Sequence, residues 1–368
     1  MGKAWIDGAP APFAEAVSAA ALRLASSRLP LITGLATDVA GVRAAVRLAE
    51  TAGGVLDHAR STVLYRNLDI LRRAGLFRGV PAELRRRADR VLLVGADAAE
   101  TAPELLAFLL EGAPDLGRAA GAVRQVVWLG GGEGSSLSGV SVDPLPVAAG
   151  EIAGFVGMVR ASLAGRRFDR AAPGAERVVE LGAWLAGAQF ATVVWSAGAL
   201  DPIAIESLTA LVSELNATTR ASAVPLGEAG EAHGAAEVAT WLSGYPLRVS
   251  FARGEAVHDP LLFETGRLLA SGECDLAVHV DARAGVSLGL PGGGVPVISI
   301  ASEPPNGAAI AFEVAPAGEG TGALWDERLA SFASTPGATE TSDRKSAGEV
   351  LAALADALEP LLAAGRAA

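Results

Sequence analysis

The sequence predicts an α/β protein made of two doubly wound halves. Three observations point there. Short apolar runs alternate with helix-spaced segments along the chain, Asp-Pro pairs and Ser/Thr-x-x-Glu boxes stand where helices would begin, and glycines close the turns. The length of 368 residues exceeds the roughly 250 to 300 at which a single core stops growing. The expected division is a first α/β domain over 1–135, a second over 136–318, and a segment over 319–368 whose helix packs back on the first domain.

The elements follow in order. The run "LPLITGL", marked by Pro30 and Gly34, reads as a strand, and from Asp38 onward Val39, Val42, Val46 and Ala49 recur at helical spacing. "GVLDH" is a second strand, which makes a βαβ unit and implies parallel pairing. The stretch "AGGVLDHARSTVLYRN" (52–67) is therefore expected to be a strand running into a loop at the carboxyl edge of a sheet. "RVLLVGAD" (90–97) is a third strand. Thr101 and Glu104, around Pro103, form a capping box for "PELLAFLLEG". "RQVVWLGGG" (124–132) is a fourth strand, ahead of the loop-like "GGEGSSLSGVSVDP".

Helical stretches over about 148–165 and 177–187 lead into "FATVVWSAG" (190–198), which opens a second series of strands. Asp201 caps a helix with Pro202 at its first position and Ile205, Leu208, Val212 and Leu215 on one face; Asp259-Pro260 repeats the device before "LLFETGRLLASG". "LRVSFARG", "DLAVHVDA", "VPVISIAS" and "IAFEVAPAG" read as strands. Ser346 and Glu349 then box the start of a helix carrying Leu351, Leu354 and Leu358 on one side, with Pro360 bending it.

Composition narrows the function classes. Thirty basic against forty-one acidic residues give a net charge of −11, which repels phosphate backbones and disfavours nucleic acid. The basic run "RNLDILRRAGLFRGVPAELRRRADR" reads as a solvated helix face with salt bridges to other subunits, or else as an anion site. Hydrophobic residues make up 51% and the mean hydropathy is +0.36, an apolar surplus whose natural outlet is contact with other subunits. No uncharged apolar run reaches the length of about 18 residues that a membrane span needs. The opening "MGKAWIDGAPAPFAEA" does not read as a signal peptide, so the expectation is a cytoplasmic protein. Cys274 is the single cysteine, which leaves no internal disulfide, thiolate zinc site or iron–sulfur cluster within the chain.

Candidate chemistry is sparse. "VLLVGADAAETAPEL" joins a strand, Gly95 and a helix start, a geometry that attracts phosphates, but it lacks the further glycines of a dinucleotide fingerprint, and Asp97 would repel an anion. "WLGGGEGSS" lacks a following Gly-Lys-Ser/Thr, and no Gly-x-Ser-x-Gly elbow appears. The four histidines, His58, His233, His258 and His279, are far apart. His58 and His279 each lie at the end of a strand near an aspartate, Asp57 and Asp281, where either a general base or a satisfied structural histidine fits. No catalytic, cofactor-binding or metal-ligating residue is assigned from these patterns.

Several segments taken together resemble the beta subunit of formylmethanofuran dehydrogenase, a member of the molybdopterin oxidoreductase superfamily. The clearest runs from Ala239 to Ser302: "ATWLSGYPLRVSFARGEAVHDP", "LLASGECDLAVHVDARAGVSLGLP" and "VPVISIAS" follow that family's Trp-x-x-Gly-Tyr-Pro, Arg-Gly and Asp-ended strand pattern. "LPLITGLATD", "LAETAGGVLDH", "ADRVLLVGADAAETAPEL" and "LVSELNATT" match in the same order, so the resemblance covers about residues 3 to 330. It implies two Rossmann-like domains of the formate dehydrogenase/DMSO reductase type, here expected without the cysteine-rich iron–sulfur domain.

The resemblance also implies losses. The family's metal-binding cysteine falls on Val63 and the histidine after it on Leu64, followed by Tyr65. The pterin-binding turn has become "GADAAETAPE", and the polar Arg-Gly-His-x-Asn run is replaced near Gly227 to Glu231. Molybdopterin, molybdenum or tungsten, and iron–sulfur clusters are expected to be absent, because a soft metal without a thiolate has no protein ligand here. A chain with these losses resembles the beta subunit of the bacterial formyltransferase/hydrolase complex of methylotrophs. That resemblance implies a non-catalytic structural role beside an amidohydrolase-like alpha subunit, a formyltransferase-like delta subunit and a gamma subunit, in a complex that moves formyl from formyl-tetrahydromethanopterin to a methanofuran-like carrier and hydrolyses it to formate. The alternatives are an active molybdenum or tungsten dehydrogenase subunit, and a free-standing nucleotide- or anion-binding protein using the Gly95 turn.

Overall fold

The computed structural model describes residues 3–132, 137, 139–171, 174–227, 232–335 and 344–367. The strands are β1 (Ala4–Ile6), β2 (Ala9–Ala11), β3 (Pro30–Ala36), β4 (Val55–Leu56), β5 (Arg90–Val94), β6 (Gln125–Leu129), β7 (Val142–Leu145), β8 (Ala191–Ser196), β9 (Ala221–Leu226), β10 (Val249–Ser250), β11 (Val257–His258), β12 (Leu276–Asp281), β13 (Val297–Ala301), β14 (Ile310–Glu313), β15 (Gly322–Asp326) and β16 (Ser331–Thr335). The helices are α1 (Phe13–Ser26), α2 (Val39–Ala52), α3 (Ser61–Ala74), α4 (Pro81–Arg87), α5 (Ala98–Thr101), α6 (Pro103–Leu110), α7 (Ile152–Leu163), α8 (Ala175–Ala186), α9 (Pro202–Leu215), α10 (Ala232–Ser243), α11 (Thr265–Ser271) and α12 (Ala347–Ala367). None of the described helices is long and apolar enough to cross a membrane.

The chain divides into two units, and the first is discontinuous. It takes 1–62, 229–326 and 331–368, and the second takes 63–228 and 327–330. The expected division at residue 135 therefore gives way. The early strand β3 pairs in parallel with the late strand β12, and β4, β3, β12, β13 and β14 form one sheet with the order β11-β10-β4-β3-β12-β13-β14-β1-β2. The second unit holds a parallel sheet in the order β7-β6-β5-β8-β9. In each sheet the order reverses beside its first parallel strand, between β3 and β12 in one and between β5 and β8 in the other. These are the points where doubly wound sheets open a crevice at their carboxyl edges.

Local chemistry explains the elements. All seven residues of β3 are buried, as a parallel strand covered on both faces requires. Asp38 Oδ1 accepts from the Gly41 N–H at 2.8 Å to start α2, and Gly53, at φ +62°, ends it in the left-handed region. Asp201 starts α9 in the same way, accepting from the Ala204 N–H at 2.8 Å with Pro202 behind it. Ser346 and Glu349 form a reciprocal box at 3.2 and 2.7 Å. The α12 helix they start buries Leu351, Leu354 and Leu358 and packs against α2 and α1.

Four expectations change. The segment after "GGVLDH" is not a loop: α3 starts at Ser61 and runs for 14 residues. Thr101 does not cap α6; its hydroxyl turns back to the Asp97 carbonyl at 2.9 Å. Asp259 holds a turn through the Leu261 and Leu262 N–H groups, both at 2.8 Å, and Glu264 caps α11 instead. "LRVSFARG" supplies only the two-residue β10, an antiparallel addition beside β4. The expected loop at 131–144 falls partly, and the altered run at 227–231 mostly, outside the described residues.

Candidate functional site

In the first unit the chain leaves β4 directly into Asp57 and His58, at the carboxyl edge of the sheet. Asp57 is fully buried. Its Oδ2 accepts three hydrogen bonds: from the Thr265 N–H at 2.9 Å, the Thr265 hydroxyl at 2.9 Å and the Ser61 hydroxyl at 3.0 Å. Its Oδ1 has no hydrogen-bond partner among the described residues, and the Arg248 Nε approaches it to 3.9 Å. Burial pushes the Asp57 carboxyl up to about 6 against the opposing pull of Arg248 and of the Thr265 and Ser61 donors. Arg248, itself buried, donates to the Ser61 hydroxyl from Nε and Nη2 at 3.1 and 3.0 Å and to the Pro260 carbonyl from Nη1.

The backbone is contorted to bring that guanidinium inward. Leu247 and Arg248 both adopt left-handed φ, +70° and +49°, a conformation that costs non-glycine residues of order 1–3 kcal/mol each. The backbone is contorted at a second place. Gly34 and Leu35 have φ of +82° and +64°, where β3 and β12 shift register between His279 and Asp281. Gly34 is required there: a Cβ would lie 2.4 Å from the Val280 carbonyl oxygen and 2.9 Å from His279 Nδ1.

The histidines do not converge. His58 is buried and its Nδ1 accepts from the Arg60 N–H at 3.0 Å, so it is engaged by its own turn. His279 lies inside β12 with neither ring nitrogen hydrogen-bonded among the described residues, and burial drives its pKa down to about 4, so it is neutral at pH 7. His233 packs on Trp325 at 4.6 Å and His258 stacks on Tyr245 at 5.2 Å. Asp281 accepts from the Leu288 N–H at 2.8 Å, and its carboxyl is raised by burial. No group of three or more histidines, cysteines or carboxylates among the described residues is placed to hold a metal ion. Cys274 is buried beside Leu31, Val55 and Leu268, and burial raises its thiol pKa, which makes it a core side chain.

In the second unit the Gly95 turn closes on itself. The Ser196 hydroxyl donates to Asp97 Oδ2 at 3.0 Å and lies 3.1 Å from the Thr101 hydroxyl, while Trp128 Nε1 donates to the Gly95 carbonyl at 2.8 Å. A phosphate there would meet a carboxylate, and α5 behind it is a single turn of four residues. The nucleotide reading therefore loses its site. Three arginines of the basic run pair within the chain, Arg85–Glu111, Arg86–Asp115 and Arg87–Glu83, all within 2.9 Å, which fits a solvated face and leaves these three to partners in their own unit. A cleft of about 420 Å³ lies between β6, β7 and α8, but its polar side chains are engaged: Arg177 pairs with Asp143 and Glu180, Trp184 donates to Gln125, and Arg124 donates to backbone carbonyls.

Val63 decides the fit of a metal centre. Its side chain packs in the second unit's core with Ile70, Leu92 and Val94, and Leu64 and Tyr65 beside it are buried as well. An isopropyl group offers no donor, so the residues at this position do not fit a thiolate-held tungsten or molybdenum.

The fold and this site define a doubly wound α/β chain, with one mixed and one all-parallel sheet, whose carboxyl edges are occupied by its own side chains. No family model matches the chain. It is 34% identical over 275 residues to the B-subunit of the formyltransferase/hydrolase complex Fhc of Methylorubrum extorquens, covering 75% of this chain and 73% of that one. It is 25% identical over 281 residues to the B-subunit of the tungsten-containing formylmethanofuran dehydrogenase 2 of Methanocaldococcus jannaschii, covering 74% of this chain and 65% of that one. It also superposes on a chain of the crystal structure of the formyltransferase/hydrolase complex FhcABCD from Methylorubrum extorquens, in complex with methylofuran, with a TM-score of 0.86, 31% identity and 99% of both chains covered. The chain belongs to the B-subunit family of the formyltransferase/hydrolase complex.

Proposed function

We propose that the chain is a structural subunit, without a catalytic centre of its own, of a complex that transfers formyl from formyl-tetrahydromethanopterin to a methanofuran-like carrier and hydrolyses it to formate. The observation that carries this reading is the end-to-end match, over 99% of both chains, to a member of a solved heteromeric formyltransferase/hydrolase complex. An amidohydrolase-like, a formyltransferase-like and a gamma subunit are the partners this reading requires. The two sheets descend, on the same reading, from the molybdopterin oxidoreductase type, and the complex works in the cytoplasm.

The absence of molybdopterin, metal and clusters belongs to the same proposal. It is supported by Val63 in the core and by Asp97 filling the Gly95 turn. A redox subunit is the competing reading, favoured by the similarity to a tungsten-containing enzyme. Tungsten, molybdenum and pterin analysis of the purified chain separates the two: the structural reading expects only trace amounts, and a stoichiometric content of any of them would replace it with the redox reading.

A further inference from the structure

One group of buried polar side chains is used by neither the fold's caps nor the proposed role. Strand register places Ser299 of β13 beside His279 of β12, and His279 beside Thr33 of β3. Partners in parallel strands point to the same face. Asp57 continues the row beyond Thr33, its N–H bonded to the Ile32 carbonyl at 3.1 Å, and Thr265 joins the two by touching the Thr33 hydroxyl at 3.2 Å and the Asp57 carboxylate at 2.9 Å. Ser299, His279, Thr33 and Asp57 are all sealed from solvent, none more than 1% exposed.

The row is built, yet incompletely bonded. Ser299 Oγ, both ring nitrogens of His279 and Asp57 Oδ1 are buried without a hydrogen-bond partner among the described residues. Four such atoms on adjacent strands are more than native interiors leave unmet, since more than nine in ten buried polar groups are paired with protein or ordered water. What would satisfy them must both donate and accept. A neutral imidazole presents one donor and one acceptor, a serine hydroxyl one donor and two lone pairs, and a carboxylate only acceptors. An anion would face the carboxylate, and a cation would meet a ring N–H and a hydroxyl without a second carboxylate. An uncharged molecule with two donors and two acceptors matches the hydrogen-bonding need of each of these atoms, and water is the smallest such molecule.

We propose that Ser299, His279 and Asp57 form an internal binding site for ordered water, which completes the hydrogen bonding of a polar row crossing three strands of the first unit's sheet. The water fixes the His279 ring and supplies the Asp57 oxygen that Thr265 and Ser61 leave unserved. Its role is to lock the register of β13, β12 and β3 and the turn that launches α3.

Two measurements on the full chain, or on the complex in which it is held, test this. A crystal structure at a resolution that orders water is expected to show density 2.6 to 3.2 Å from at least two of the four atoms; a dry row would overturn the proposal. Ser299→Ala supplies the second. Removing a hydroxyl that binds water strands that water and is expected to lower Tm by about 2 to 4 °C. Removing a hydroxyl that is simply unpaired relieves its desolvation and raises Tm or leaves it unchanged, and that result would overturn the proposal as well.

Discussion

The Arg248 guanidinium approaches the Asp57 carboxylate to 3.9 Å, and both side chains are buried. The Ser61 hydroxyl stands between them, donating to Asp57 and accepting from Arg248. Taking one partner out of a buried ion pair leaves the other uncompensated, at a cost of about 3–5 kcal/mol. Arg248→Met should therefore destabilise the chain by about 3 kcal/mol at pH 8. The loss should be much smaller at pH 5, where Asp57 is protonated and no anion remains to be stranded. Denaturant unfolding at the two pH values checks this, and an equal loss at both would contradict it.

Asp57 and His279 should offset each other in acid. The folded-state pKa of Asp57 is raised from 3.8 to about 6, so the fold binds its proton more tightly and loses stability as pH rises from 4 to 6. The folded-state pKa of His279 is lowered from 6.5 to about 4, so the fold resists its proton and loses stability as pH falls from 6.5 to 4. Each shift of two units or more is worth about 3 kcal/mol, with opposite sign over a shared window. Relative to the unmodified chain, Asp57→Asn should become less stable towards pH 4, and His279→Gln more stable. Chemical denaturation from pH 4 to 7 reads both slopes, and parallel curves for the two variants would refute the pairing.

Gly34→Ala should be among the most damaging single-atom additions. The position combines φ of +82° with a Cβ site 2.4 Å from the Val280 carbonyl oxygen, which is backbone and cannot step aside. A loss of about 3 kcal/mol or more is expected. A shift in unfolding midpoint below 1 kcal/mol would mean that the β3–β12 bulge is softer than the geometry says.

Much of this was legible beforehand. β3, β5, β6, β8, β12 and β13 announce themselves as apolar runs, and Asp38, Asp201 and the Ser346–Glu349 box mark real helix starts because their side chains act within one turn of their own backbone. The division into units was not legible, because β3 finds β12 across more than two hundred residues and local periodicity carries no information about which strands pair. α3 was hidden by a first turn of Ser-Thr-Val, residues with poor helix propensity, and β10 and β11 are two residues each, too short for any alternation. The Asp57 site was half visible. Asp57, His58 and His279 stood out as polar residues at strand ends, whereas Arg248 looked like one charge in an apolar run. Its signal was the Gly-Tyr-Pro turn before it, which leads into two left-handed residues that aim the side chain inward.

Val63→Cys restores the thiol that the resemblance places at this position, and it should restore nothing else. The side chain stays in the core with Ile70 and Leu92, so the variant should cost less than about 1.5 kcal/mol and bind no tungsten or molybdenum. Elemental analysis of the variant after expression with added tungstate or molybdate checks this; stoichiometric uptake would show a metal site still intact around an absent ligand.

A subunit that holds a catalytic assembly together without catalysing should be silent by itself and indispensable to its partners. The measurement that tests this most directly is a formyl-transfer and hydrolysis assay run on the chain alone, on its co-expressed partner subunits without it, and on the full set. No turnover is expected from the chain alone, incomplete assembly with reduced turnover without it, and full activity only when all are present. Formyl turnover by the purified chain alone, or undiminished activity in its absence, would contradict it.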